Sequence, residues 1–256
     1  MARRIIDLSL PLDNDRSWAP WWARCRVRRQ SHRVGAWVIR LLFGLSSQYL
    51  RDGLGWANET IELSTHGTTH VDAPWHYAPT SEGRPAKTID QIPLEWCFGP
   101  GVVLDMRSLA PDAAASVEDI EAALARIDHT LSPGEIVLIQ TGNDRYYGSR
   151  EYFSRGPGVS AAATRWLIDR GVKLMGIDAW GWDAPLATQA QQAKALGRRD
   201  LFWEAHYVGV DKEYCQIERL ANLDQLPAKG FTVCAFPLKV KDGSAGPARV
   251  AALVEE

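Results

Sequence analysis

Ser64–Thr65–His66–Gly67–Thr68–Thr69–His70–Val71–Asp72–Ala73–Pro74–Trp75–His76 holds three of the chain's six histidines within eleven residues. Imidazole and carboxylate together are the donors that suit Zn²⁺, Mn²⁺ or Fe²⁺. His66 and His70 are four apart, but Gly67, Thr68 and Thr69 between them are poor helix formers. The preceding Ile61–Glu62–Leu63–Ser64–Thr65 reads as a strand, so the pair is expected on a strand-to-loop turn that Gly67 permits. His70 and Asp72 are two apart and share a face in extended chain. Pro74 stiffens the exit and fixes where His76 stands. The spacing predicts one metal ion on His66, His70 and Asp72, with positions left open for water and substrate.

Outward from this stretch, short runs rich in Val, Ile, Leu or Thr predict strands over 4–12, 59–65, 101–106, 135–141, 172–178 and 231–240. Ser116, with an acid three residues on, predicts a helix start running to about Ile127. Ser160 predicts a second helix that Gly171 ends, and 186–196 reads as a third. Strands alternating with helices indicate an α/β fold. Residues 13–55 carry four Trp and much Arg without a clear period, and are read as a surface excursion, a lid or a dimer contact on an otherwise single domain.

The 256 residues are ample for a hydrophobic core. With 29 Lys+Arg against 31 Asp+Glu the formal charge is −2, which argues against a nucleic-acid binder. The longest apolar run, Val38 to Leu45, is short and contains Arg40, so no membrane span is expected. Asp7 interrupts the basic start before any signal-type apolar region forms. These features predict a cytoplasmic protein. Cys25, Cys97, Cys215 and Cys234 form no C-x-x-C pair and are expected as reduced, mostly buried thiols.

The histidine stretch resembles the signature H-x-G-T-H-x-D-x-P-x-H of the metal-dependent cyclase family, which includes bacterial kynurenine formamidase and isatin hydrolase. His66, Thr69, His70, Asp72, Pro74 and His76 match, while Thr68 stands where the family has glycine and Gly67 comes one earlier. Asp7–Leu8–Ser9, Ile139–Gln140–Thr141–Gly142, Gly158–Val159–Ser160, Gly176–Ile177–Asp178 and Pro237–Leu238–Lys239 fall in the family's order. The resemblance implies a mixed-sheet, swivelling β/β/α fold assembled as a homodimer or homotetramer. It also implies that His206 and Glu218, twelve apart, join the site as further ligands, with Glu218 part of the catalytic set and one or two Mn²⁺ or Zn²⁺ ions bound.

A divalent ion with an open position would lower the pKa of a bound water from about 16 towards about 7 and polarise a carbonyl, which suits hydrolysis. His76, just outside the ligand set read from spacing, is expected as the general acid–base. No G-x-S-x-G nucleophile elbow and no G-x-x-x-x-G-K phosphate loop occurs. Trp75, Trp180 and Trp182 are candidates to stack on a flat small-molecule substrate. The leading expectation is hydrolysis of a C–N bond in a small cyclic or N-acyl amide. A lactone or ester, a non-haem iron oxygenase and a non-catalytic metal protein are the alternatives; a need for O₂ would mark the oxygenase.

Overall fold

In this computed structural model, residues 3–14 and 18–255 are described. Met1 and Ala2 of the basic start and residues 15–17 of the excursion lie outside them. The chain divides into two compact units, Leu12–Ser64 and the remainder, Met1–Pro11 with Thr65–Glu256.

Among the described residues of the larger unit, nine strands join in one mixed sheet: β1 (Arg3–Asp7), β2 (His70–Asp72), β3 (Phe98–Asp105), β4 (Ile136–Gln140), β5 (Leu174–Ile177), β6 (Cys215–Glu218), β7 (Lys229–Cys234), β8 (Ala245–Pro247) and β9 (Ala251–Glu255). Their spatial order is β1-β9-β7-β3-β4-β5-β6-β2-β8. The central run β3-β4-β5-β6 is parallel and the flanking pairs are antiparallel. The central strands are buried on both faces, which is why they read as continuous apolar runs. Alternate residues feed two cores. Val102, Leu104, Val137, Ile139, Met175 and Ile177 pack against Ile120, Leu124, Ala163 and Leu167 of helices Val117–Arg126 and Ala161–Asp169. Val71, Val103, Ile136, Leu138, Leu174, Ile217 and Val233 build the other core with Ile6 and Leu8.

The helix starts follow their caps. Ser116 Oγ accepts from the Asp119 N–H while Asp119 accepts from the Ser116 N–H, and Ser160 Oγ accepts from the Ala163 N–H. The strand expected over 231–240 stops at Cys234, and Pro237 follows it. That expected over 59–65 is observed at Asn58–Glu62 and lies outside the large sheet: it pairs antiparallel with Arg26–Gln30 inside the smaller unit. In that unit, helix His32–Phe43 ends at Gly44 in the left-handed conformation. A Cβ on Gly35 would lie 1.9 Å from the Trp56 carbonyl oxygen, so the helix and the 55–56 segment can meet only through glycine. Cys25, Cys97 and Cys215 are buried and Cys234 is half-buried. No described helix is long and apolar enough to cross a membrane.

Candidate metal centre

The site is built on the antiparallel pair β6–β2. Register sets Glu218 opposite His70 and Gln216 opposite Asp72. Because side chains alternate, Val71 and Ile217 enter the apolar core while His70, Asp72, Gln216 and Glu218 all project from the other face. His70 and Asp72 thus sit on a strand, and His66 on the turn before it. Gly67 does not adopt a positive φ, so the turn does not draw on the left-handed region there. Thr69 Oγ1 donates to the Arg219 carbonyl and accepts from the Leu10 N–H.

His70 donates Nδ1–H to the Thr68 carbonyl at 2.6 Å. A carbonyl only accepts, so when the ring is neutral its lone pair lies at Nε2. That atom is 3.1 Å from Asp72 Oδ1. His66 bonds Ser244 Oγ through Nε2 and brings Nδ1 to 2.8 Å from the same carboxylate oxygen. His70 Nε2 and Asp72 Oδ1 are buried without a hydrogen-bond partner. A lone pair and a carboxylate oxygen facing each other in the interior repel unless a proton or a metal ion joins them, and the donor set is one a divalent ion takes. Two trios among the described residues bring ligand atoms within 4.8 Å of one another: His66, Asp72 and His76, and His70, Asp72 and Glu218. The three ligands read from spacing therefore converge on Asp72 but divide into two overlapping trios, and His76, expected outside the ligand set, stands within one of them.

His206 and Glu218 close the other side. His206 Nε2 is 3.4 Å from Glu218 Oε1 and 4.0 Å from Asp72 Oδ2. Asp183, which sequence reasoning missed, fixes this imidazole. Its Oδ2 accepts from His206 Nδ1–H and from the His206 main-chain N–H, and its Oδ1 accepts from Ala205 N–H and Gln189 Nε2. Burial would lower the pKa of His206, but the hydrogen bond and charge of Asp183, with those of Glu218, raise it to about 10. Burial would raise Asp72, yet positive charge on His70, His76 or His66, when those rings carry it, holds it well below the ordinary carboxylate range. Burial and the Asp72 charge would raise Glu218, while His206 and His70 keep it below its usual value. His76 is half-buried; burial outweighs the pull of Asp72 and lowers its pKa to about 4, leaving the ring neutral at physiological pH.

The three candidate tryptophans part company here. Trp75 is 43% exposed beside His76. The Trp180 ring lies under the Arg219 guanidinium, 3.7 Å away, and Arg219 also donates to the Trp180 and His66 carbonyls. Trp182 is fully buried in the helix-side core with its Nε1–H donated to Thr164 Oγ1, so its ring is unavailable for substrate. What Trp182 gives the site is its main-chain N–H, donated to Glu218 Oε1 at 2.9 Å. The aromatic ring against the histidines is instead Trp203, stacked on His206 with centroids 4.5 Å apart and edge-on to His76 at 5.1 Å. No spacing pattern singled it out among eleven tryptophans.

Known proteins share this chain's sequence pattern and fold. A family model described as "Putative cyclase" matches residues 6–184. An isatin hydrolase of Roseibium aggregatum is 30% identical over 219 residues, covering 81% of this chain and 79% of that protein. A kynurenine formamidase of Erythrobacter litoralis is 29% identical over 189 residues, covering 74% and 73%. A solved isatin hydrolase bound to the product analogue thioisatinate superposes with a TM-score of 0.76 over 99% of this chain and 93% of that one, at 25% identity. Isatin hydrolase A from Ralstonia solanacearum gives the same TM-score over 99% and 92%, at 27% identity.

Proposed function

This chain belongs to the cyclase family, and from that premise we propose that it hydrolyses the C–N bond of a small cyclic or N-acyl aryl amide at a divalent metal centre. The observation that carries the reading is the buried, unpartnered pair His70 Nε2 and Asp72 Oδ1, ringed by His66, His76 and Glu218. An isatin hydrolase and a kynurenine formamidase are among its relatives, and a potential metal-dependent hydrolase shares its fold. The ion would be Mn²⁺ or Zn²⁺, given an all nitrogen and oxygen donor set.

When bound, the ion supplies a Lewis acid that acidifies water and polarises the scissile carbonyl. His66, His70 and Asp72 would hold it, with Glu218 and His206 along the far side. His76, neutral and half-buried, accepts the proton of the attacking water and returns it to the leaving nitrogen. Trp203, flanking both His76 and His206, offers a flat wall for an aromatic substrate, with Trp75 at the exposed edge. The same residues would open a lactone or ester, because they act on the carbonyl and on whichever atom leaves.

We further place the protein among cytoplasmic homo-oligomers. Support for assembly comes from helix His32–Phe43, which exposes Val34, Trp37 and Leu41 along one stripe, with Leu42 and Phe43 beside it. The test of function is a panel of isatin, N-formylkynurenine, a simple lactone and an aryl ester, run with and without chelator under anaerobic conditions. Metal-dependent opening of one of the amides without O₂ is expected. Turnover that needs O₂, or that survives complete metal removal, refutes the reading.

A further inference from the structure

Gln216 stands in the middle of the far side of this site. It is fully buried, two residues before Glu218 on β6 and opposite Asp72 on β2. Its Nε2 lies 2.6 Å from His206 Nε2, 3.2 Å from Asp72 Oδ2 and 3.3 Å from Glu218 Oε1. Its Oε1 accepts from the Tyr214 hydroxyl at 3.1 Å, and Tyr214 is itself buried. The amide orientation follows from its surroundings. An oxygen in the place of Nε2 would face two carboxylate oxygens at little more than 3 Å, whereas the nitrogen turns N–H donors towards them.

Asp72, His206 and Glu218 are a carboxylate–imidazole–carboxylate set, of the kind that binds a cation at about 2.0–2.2 Å from each donor atom. The amide nitrogen fills the space those donors enclose, so that space can hold the amide or an ion, but not both. The two oxygens of Asp72 are divided accordingly: Oδ1 faces His66 and His70 without a hydrogen bond, while Oδ2 faces Gln216. On the reading of the site as a metal centre, we propose that Gln216 takes the place of a second cation. The centre then holds one ion per chain, and Gln216 is a positioning residue whose partly positive N–H groups balance Asp72 and Glu218 and keep His206 in place. A carboxylate pair this buried needs a positive neighbour, and an amide supplies it without a second metal.

The test is metal stoichiometry of the full chain. Metal-free wild type, Gln216→Ala and Gln216→Glu are dialysed to equilibrium against Mn²⁺ and counted by elemental analysis, with circular dichroism confirming the fold. Alanine empties the space, and glutamate, nearly isosteric, replaces the donor by a fourth ligand. Wild type is expected to hold one ion per chain and each folded variant two. Should the alanine variant fail to fold, the glutamate variant decides. Wild type holding two ions overturns the proposal, as do folded variants that stay at one. Variants that fall below one ion overturn it as well, since Gln216 would then be a ligand through its oxygen. Wild type that binds no ion removes the metal reading itself, a result distinct from wild type and variants all holding one.

Discussion

Asp183→Asn should cripple the centre without touching any metal ligand. The carboxylate accepts four hydrogen bonds, two at each oxygen, and Asp183 is buried. An asparagine can accept at one atom only. If its oxygen serves Gln189 and Ala205, its amide faces the main-chain N–H and the Nδ1–H of His206. The ring can escape by moving its proton to Nε2, which turns a donor towards Glu218 and sets it against the Gln216 amide. The main-chain N–H cannot escape. One buried donor left unmade costs about 1–3 kcal/mol, and loss of the charge-assisted ring bond adds to it. We expect a net loss of about 2–4 kcal/mol in urea unfolding, equivalent to a fall in Tm of about 4–16 °C for a chain of this size. Metal affinity should fall as well, because His206 steadies Gln216 and, through Gln216, the ligand Asp72. Nitrogen-15 histidine spectra should show the His206 tautomer reversed. An asparagine variant with unchanged stability, metal affinity and tautomer would refute the role assigned to Asp183.

Three further outcomes are expected. His76→Ala should retain its ion and lose turnover by roughly 10²–10⁴, and loss of metal in parallel with rate would make His76 a ligand, as its trio with His66 and Asp72 allows. Trp203→Ala should raise KM for an aromatic amide while the fold holds, whereas Trp182→Ala should cost about 3–5 kcal/mol of stability as a core cavity; equal KM effects from the two would contradict the aromatic wall. Asp178 gives a pH test. Burial raises its carboxyl to about 7 despite hydrogen bonds from Thr141 and Gly142, against an ordinary 3.8 when unfolded. Between these values the folded chain keeps a proton the unfolded chain has lost. Its contribution is therefore fully present below the unfolded value and declines as pH rises to about 7, by on the order of 4 kcal/mol. Urea titrations at pH 5 and pH 8 should show about 3 kcal/mol of this decline in wild type and not in Asp178→Asn; parallel slopes would remove Asp178 as its source.

The histidine stretch was legible because its donors lie within eleven residues and the strand places two of them on one face. Helix starts at Ser116 and Ser160 were legible because a cap is a local device. Strands β2 and β6 were not, since three or four residues with polar side chains on one face carry little signal alone and become strands by pairing. Gln216 could have been found from β6: it stands two before Glu218, as His70 stands two before Asp72. Asp183 and Trp203 reach His206 through loops that no periodicity describes. Trp182 follows the end of β5 as expected, but its ring turns into the helix-side core, a choice set by Thr164 and the neighbouring packing rather than by position in the chain.

The most direct measurement compares wild type with Asp72→Asn, the residue common to both ligand trios. The substitution keeps size and replaces an anionic ligand by a neutral one. Elemental analysis and amide turnover are read on the same folded samples after Mn²⁺ loading. Wild type should carry tightly bound metal and hydrolyse the amide, and the variant should lose most of both. A variant that keeps wild-type metal and wild-type turnover would contradict a hydrolase centred on Asp72.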